Sequence, residues 1–162
     1  AMGNVDLPAL NNEFLWPNNY CLGEVECAVG AKLLDRLREM NGKRRQRAMK
    51  FIDSLNEFPD LIFHRENSCR HNYHLLVARL INGKRDEFIQ KMAAEEGVQC
   101  VVQYYPLYRY DLYKKANQGE ANCPNTEEFY SQMVSFPFHH MMEDGEFEWM
   151  IKASKKVMTS LG

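Results

Sequence analysis

Asn18-Asn19-Tyr20-Cys21-Leu22-Gly23-Glu24-Val25-Glu26-Cys27-Ala28-Val29-Gly30 is the stretch on which the fold turns. Pro17, Asn18 and Asn19 make a polar, turn-prone entry, and beyond them Val25, Val29, Leu33 and Leu37 recur four residues apart. A loop therefore opens into an amphipathic helix. The first turn of such a helix has unpaired main-chain N–H groups and the positive end of the macrodipole, so it favours an anion. The competing reading is that Asn18 or Asn19 simply caps the helix.

The chain around this stretch has 162 residues, 45% hydrophobic and 12% aromatic, which is enough for one compact globular domain. Lys and Arg total 20 against 22 for Asp and Glu, a net charge of −2 that gives no general pull toward nucleic acid or acidic membranes. The five cysteines (Cys21, Cys27, Cys69, Cys100, Cys123) include no Cys-x-x-Cys spacing. They read as reduced thiols of a cytoplasmic protein. No stretch approaches the ~18 apolar residues of a membrane helix, and no basic start followed by an apolar run suggests a targeting signal. Ala1-Met2-Gly3 reads as residues added ahead of the natural frame, which is expected to begin upstream of Asn4.

Residues 1–17 form an irregular lead-in, with Phe14, Leu15 and Trp16 as an apolar anchor, and residues 18–162 form the domain. The pattern predicts a first helix over 22–40, stopped at Asn41-Gly42, and a second over 43–56. Lys43, Arg44, Arg45 and Arg47 would then oppose the dipole of the second helix. They read as a solvated face, as a phosphate or nucleotide contact, or as a sign that the first helix continues through a kink. A short strand follows at 60–63. Residues 71–81, apolar on both faces, predict a central strand covered on both sides. Next come a helix over 84–96 stopped by Gly97, a strand over 98–105 closed by Pro106, and five tyrosines within 104–113 that make a rigid amphipathic wall. Pro124 opens a helix over 124–134, Ser135-Phe136-Pro137-Phe138 is an edge strand, and a last helix over 144–160 carries Phe147, Met150, Ile151, Val157, Met158 and Leu161 on one stripe. The order α, α, β, β, α, β, α, β, α implies an α+β fold, a small, mainly antiparallel sheet of three to four strands packed against helices.

Candidate chemistry is sparse. Cys69 with His71, or Cys100 with His74, could form a Cys/His nucleophile pair, but no Gly-framed elbow or third orienting group accompanies either. Cys69, His71, His74 and His139 or His140 are zinc-ligand types without a recognised ligand spacing. Gly83 and Gly97 stand alone, so there is no Gly-rich phosphate loop. A nucleic-acid module would use the aromatics at 104–113 and the basic run at 43–47, but no aromatic-Gly-aromatic strand motif supports it. All ten lysines fall on polar helix faces or in turns, where none can serve as a buried Schiff-base amine.

The opening stretch resembles the Asn-Tyr-Arg-Met-x-Glu-x-x-Ala-Ala-x-Gly signature of the DegT family of pyridoxal phosphate (PLP) enzymes. Three later segments resemble the same family in the same order: His71-Asn72-Tyr73-His74-Leu75-Leu76-Val77-Ala78-Arg79, then Gly97-Val98 through Val102-Gln103-Tyr104-Tyr105-Pro106-Leu107-Tyr108, then Ser135-Phe136-Pro137-Phe138-His139. The resemblance covers about 18–161. It implies the small C-terminal domain of a fold type I, PLP-dependent sugar aminotransferase, with the large cofactor-binding domain and its lysine upstream of this chain.

By this resemblance Asn19 reaches across a dimer interface to the partner's cofactor phosphate. Cys21 stands where the family has an Arg, and a thiol cannot make a guanidinium's contacts. Two family histidines near the sugar correspond to Gln103 and Tyr108, which can hydrogen-bond a hydroxyl but do not titrate near neutral pH, so recognition is their implied role. Tyr73 and His139 would line the same cleft. The implied whole enzyme is a homodimer that moves an amino group from a donor such as glutamate or glutamine to a keto-sugar or keto-cyclitol, with this domain inert alone. A sugar dehydratase of the same family, or a stand-alone binding module, are the alternatives.

Overall fold

The computed structural model describes residues 22–65, 71–115 and 121–162. Its elements are α1 (Glu24–Leu34), α2 (Leu37–Ser54), β1 (Leu61–Phe63), β2 (Leu76–Leu80), α3 (Arg85–Ala94), a 3-10 turn (Leu107–Arg109), α4 (Asp111–Lys115), α5 (Pro124–Gln132), β3 (Met133–Phe136) and α6 (Asp144–Leu161). The three strands form one antiparallel sheet in the order β1-β2-β3, with Leu61 opposite Leu80 and Leu76 opposite Phe136. This is the α+β architecture expected from the element order.

The core is a single cluster drawn from α2, the sheet, α3 and α6. Phe51 is its hub: its ring lies 4.8 Å from Phe136, 5.8 Å from Phe63 and 6.3 Å from Phe147, in the edge and tilted geometries that aromatic quadrupoles favour. Phe88 of α3 adds a further edge contact to Phe136. α6 lays Phe147, Met150, Ile151, Val157, Met158 and Leu161 into this cluster, as its stripe requires. A capping box fixes its start, with Glu143 accepting from the first turn and its own N–H donating to Glu146 at 3.0 Å. Pro124 occupies the first turn of α5, where its missing N–H costs nothing. Gly97, at φ +68°, ends α3 by letting the Val98 N–H turn back to the Met92 carbonyl at 2.8 Å.

Four sequence expectations need correction. The first helix does not stop at Asn41-Gly42; the break falls at Asp35 and Arg36, and Asn41 and Gly42 lie inside α2. A mid-helix Gly costs about 1 kcal/mol, which burial of Ala48, Phe51 and Ile52 on the same helix outweighs. The basic run is therefore interior to α2, and its conflict with the dipole disappears. Lys43 pairs with Glu39 at 2.7 Å, and Arg47 pairs with Asp144 at 2.8 Å across to α6.

The predicted strand over 71–81 begins only at Leu76, because side chains take over the backbone partners ahead of it. The His71 Nδ1 accepts from the Tyr73 N–H and the Asn72 Oδ1 from the His74 N–H, both at 3.0 Å. Tyr73 itself sits at φ +48°. β2 is central, as expected, but it is not covered equally on both sides. Leu76, Ala78 and Leu80 are buried while Val77 and Arg79 are half-buried, and Arg79 extends to Glu128 of α5. Finally, the predicted strand over 98–105 is reduced to one bridge, Val101 with Ser135, bonded at 3.0 and 2.8 Å. Val98 and Cys100 alternate inward as a strand's residues would, but the chain leaves the β3 edge before a second pair forms.

α1 departs in another way. It has the expected apolar spacing, yet none of its residues is buried.

Candidate functional site

The segment after Val101 runs antiparallel to β3 toward its Met133 end and carries Gln103. The buried Ser135 hydroxyl donates to the Gln103 Oε1 at 3.2 Å, which orients the side chain and leaves its amide nitrogen without a partner among the described residues. Beyond Pro106 the chain makes the 3-10 turn and α4, and here the expected tyrosine wall takes shape.

Tyr108 donates its hydroxyl to Glu127 of α5, and Arg109 grips both oxygens of the same carboxylate, its Nε at 3.1 Å and its Nη2 closer. This fork is the strong, directional form of the Arg–carboxylate pair. The Arg109 guanidinium also lies over Tyr130 at 5.1 Å and over Tyr105 at 5.8 Å, and Tyr105 meets Tyr110 edge-on at 5.0 Å. Arg85 closes the far side of Tyr130 and donates to the carbonyls of Tyr130 at 3.0 Å and Met133 at 3.2 Å. The result is a stiff aromatic and cationic wall.

Tyr73 and His139 belong to the opposite end of the sheet, where β2 begins and β3 ends. Tyr73 is buried against His71, ring to ring at 4.2 Å, and its hydroxyl reaches the Met49 sulfur at 3.6 Å. With Ile52, His64, His71 and His74 it lines a cavity of about 290 Å³. His139 is exposed on the loop that follows β3. The neighbouring His140 is held below the usual imidazole pKa by burial first, then by Arg44, Arg36, His139 and Lys43, so it stays neutral at pH 7. Gln103 and Tyr108 are held by different partners, Ser135 on β3 and Glu127 on α5, whereas Tyr73 and His139 sit at the other end of the sheet. Asn19 lies outside the described residues.

Sequence reasoning found the tyrosines and Arg109 but missed Glu127, Tyr130 and Arg85. A signal existed in the three-residue spacing of Glu127 and Tyr130, which puts both on one face of α5. Nothing local pairs that face with residues 105–109.

A Cys100–His74 nucleophile pair finds no support in this geometry. Burial pushes the Cys100 thiol up to about 12, so it is protonated and unreactive at neutral pH. Cys69 lies outside the described residues. None of the ten lysines is buried. Lys50, Lys155 and Lys156 are engaged by Glu148, Glu57 and Glu96, and the bond from Glu96 raises the Lys156 pKa rather than lowering it.

A three-stranded antiparallel sheet wrapped by six helices in this order is the fold of one part of known sugar aminotransferases. The putative sugar aminotransferase Spr1654 from Streptococcus pneumoniae matches with a TM-score of 0.75 at 20% identity, over 86% of this chain and 36% of that one. PseC from Helicobacter pylori, an aminotransferase involved in the biosynthesis of pseudoaminic acid, matches with a TM-score of 0.74 at 21% identity, over 88% of this chain and 39% of that one. The DegT/DnrJ/EryC1/StrS aminotransferase family matches residues 10–154, and the chain belongs to that family.

Among curated relatives, the spore coat polysaccharide biosynthesis protein SpsC of Bacillus subtilis is 26% identical over 83% of this chain and 36% of its own length. The UDP-4-amino-4,6-dideoxy-N-acetyl-beta-L-altrosamine transaminase of Campylobacter jejuni is 30% identical over 80% of this chain and 35% of its own length. The chain thus spans just over a third of the length of the curated relatives it matches.

The Streptococcus pneumoniae protein is also known in PMP and PLP forms, so PLP belongs to the family's chemistry. The described residues do not by themselves fit that cofactor. It needs a buried lysine amine and a set of phosphate donors, and every lysine here is solvated.

Proposed function

We propose that this chain is the small domain of a PLP-dependent sugar aminotransferase whose cofactor-binding lysine lies in a larger domain outside these residues. The observation that carries the proposal is the pairing of family membership over 10–154 with ten lysines of which none is buried. The cofactor, when bound by the whole protein, supplies the electron sink for amino transfer.

This chain's own part is recognition. The Gln103 amide, aimed by Ser135, donates to a hydroxyl of the keto-sugar. Tyr108 and Arg109, locked onto Glu127, offer the substrate a wall whose side chains are already fixed, so little side-chain entropy is lost when it is held. Asn19 carries the phosphate contact, in a homodimer whose two subunits complete each other's sites. The amino donor is glutamate or glutamine, and the compartment is the cytoplasm. No helix among the described residues is long and apolar enough to cross a membrane.

The test is an assay of the 162-residue chain with PLP, glutamate and a nucleotide-linked keto-sugar, alongside the whole natural polypeptide. The whole polypeptide should form the amino-sugar, and the chain alone should not. Turnover by the chain alone overturns the proposal.

A further inference from the structure

Only part of the positive charge on α2 is used within the domain. Arg47 donates to the Met142 carbonyl and pairs with Asp144 at 2.8 Å, which draws the loop after β3 against the helix. One turn earlier, Arg44 reaches the His74 carbonyl ahead of β2 at 3.4 Å. His139 and His140 immediately precede this anchored part of the loop, and the Met142 N–H bonds back to the His139 carbonyl at 3.3 Å. They therefore come across the turns of α2 that carry Arg44, Lys43 and Arg36. Three segments meet at this end of the sheet: α2, the residues that lead into β2 and the loop after β3.

The charge there does not balance. Glu39 faces the cluster from the same helix, and Lys43 holds it at 2.7 Å. Asp35, next to Arg36 in sequence, pairs with Lys32 at 3.6 Å, and Asp144 is taken by Arg47. Arg36 and Arg44 have no ion pair among the described residues. The His140 Nδ1 is buried without a hydrogen-bond partner. With no acceptor there, the neutral ring keeps its proton on Nε2, which makes that nitrogen a donor. The cations around the ring repel a metal ion from its lone pair and attract an anion.

We propose that Arg36, Lys43 and Arg44, with the His140 ring, form a binding site for a phosphate group. Two unpaired guanidiniums match the roughly −1.5 to −2 charge of a phosphate monoester better than the single charge of a carboxylate. Their planar forks bond phosphate oxygens two at a time. Arg36 and Lys43 stand about two turns apart, or ~10 Å along α2, a span that their long side chains close from both ends. The site lies at the end of the sheet away from Gln103, so it is a second subsite, independent of the sugar contact proposed above.

NMR of the histidine rings tests this on the 162-residue chain, whose core is closed by α2, the sheet, α3 and α6. The probes are sodium phosphate and sodium pyrophosphate, each compared with sodium chloride of equal ionic strength. The His140 resonances should shift saturably, half-complete at roughly 1 mM phosphate or below. The ring should also titrate at higher pH once the site is filled, because an anion beside it favours the charged form. Arg36→Gln combined with Arg44→Gln should weaken binding at least tenfold, since charge-assisted bonds are lost. Arg38→Gln combined with Lys152→Gln removes the same charge from the opposite face of α2 and from α6, and should leave binding unchanged. Unchanged ring resonances of Phe51 and Phe147 show that each variant is folded. Pyrophosphate binding tenfold tighter than phosphate assigns the site to a diphosphate, and equal binding assigns it to a single phosphate group. A His140 shift that is absent, that chloride reproduces, or that survives the loss of Arg36 and Arg44 overturns the proposal. Equal weakening in the Arg38 and Lys152 variant overturns it too, since net charge alone is then being read.

Discussion

α1 and α6 have the same kind of sequence and opposite fates. Each repeats apolar residues every three or four positions. α6 buries eight residues behind a capping box, whereas α1 buries none and has no side-chain bond at its N-cap. Periodicity states that a face will be covered; it does not say by what. In α6 the cover is the sheet, α2 and α3 of the same domain. In α1 no described part of this chain supplies one.

The sharpest expected contrast is in thiol reactivity. At pH 8 the buried Cys100 should react with an alkylating reagent on the order of a thousandfold more slowly than a free thiol, from its thiolate fraction alone. Cys27 on the exposed α1 should label ahead of Cys100, and mass mapping of the labelled peptides reads the order. The same shift has a pH consequence. The folded thiol at about 12 lies above its ordinary value of 9.0, so both states are protonated below pH 9 and the group is silent there. Between pH 9 and 12 only the unfolded chain loses the proton, and urea midpoints should fall as pH rises through that window.

Stability effects come next. Phe147→Ala in α6 should cost about 3–5 kcal/mol in urea unfolding, because it removes a buried ring from the Phe51 hub. Glu143→Ala, which breaks the α6 capping box, should cost about 1 kcal/mol. Glu127→Ala should cost about 0.5 kcal/mol: its side chain and that of Arg109 are more than a third exposed, so solvent screens the pair. The smallest effect should come from α1, where Val29→Ala in the 162-residue chain should stay within about 0.5 kcal/mol of zero. A large loss there would mean that α1 is covered within this chain, and the comparison with α6 would collapse.

Local chemistry was readable in advance. The α6 stripe, the stop at Gly97, Pro124 at the head of α5, the centrality of β2 and the solvated lysines all follow from spacing or from one residue's backbone preference. What was not readable depends on partners distant in sequence. The α2 helix runs through Asn41-Gly42 because of what Phe51 and Ile52 meet, and residues 98–105 fail to make a full strand because only Val101 finds a pair on β3. The wall at 105–109 was half legible: the tyrosines announced it, but Glu127 and Tyr130 arrive from α5. Gln103 and Tyr108 were readable as polar side chains, but their partners Ser135 and Glu127 are visible only in three dimensions.

The reactive lysine proposed for the whole protein lies outside this domain. The most direct measurement treats the whole natural polypeptide with PLP and borohydride and locates the modified lysine by peptide mass. The account requires a single modified lysine upstream of these residues, with Lys32, Lys43, Lys50, Lys84, Lys91, Lys114, Lys115, Lys152, Lys155 and Lys156 untouched. Stoichiometric modification of any one of those ten would contradict it.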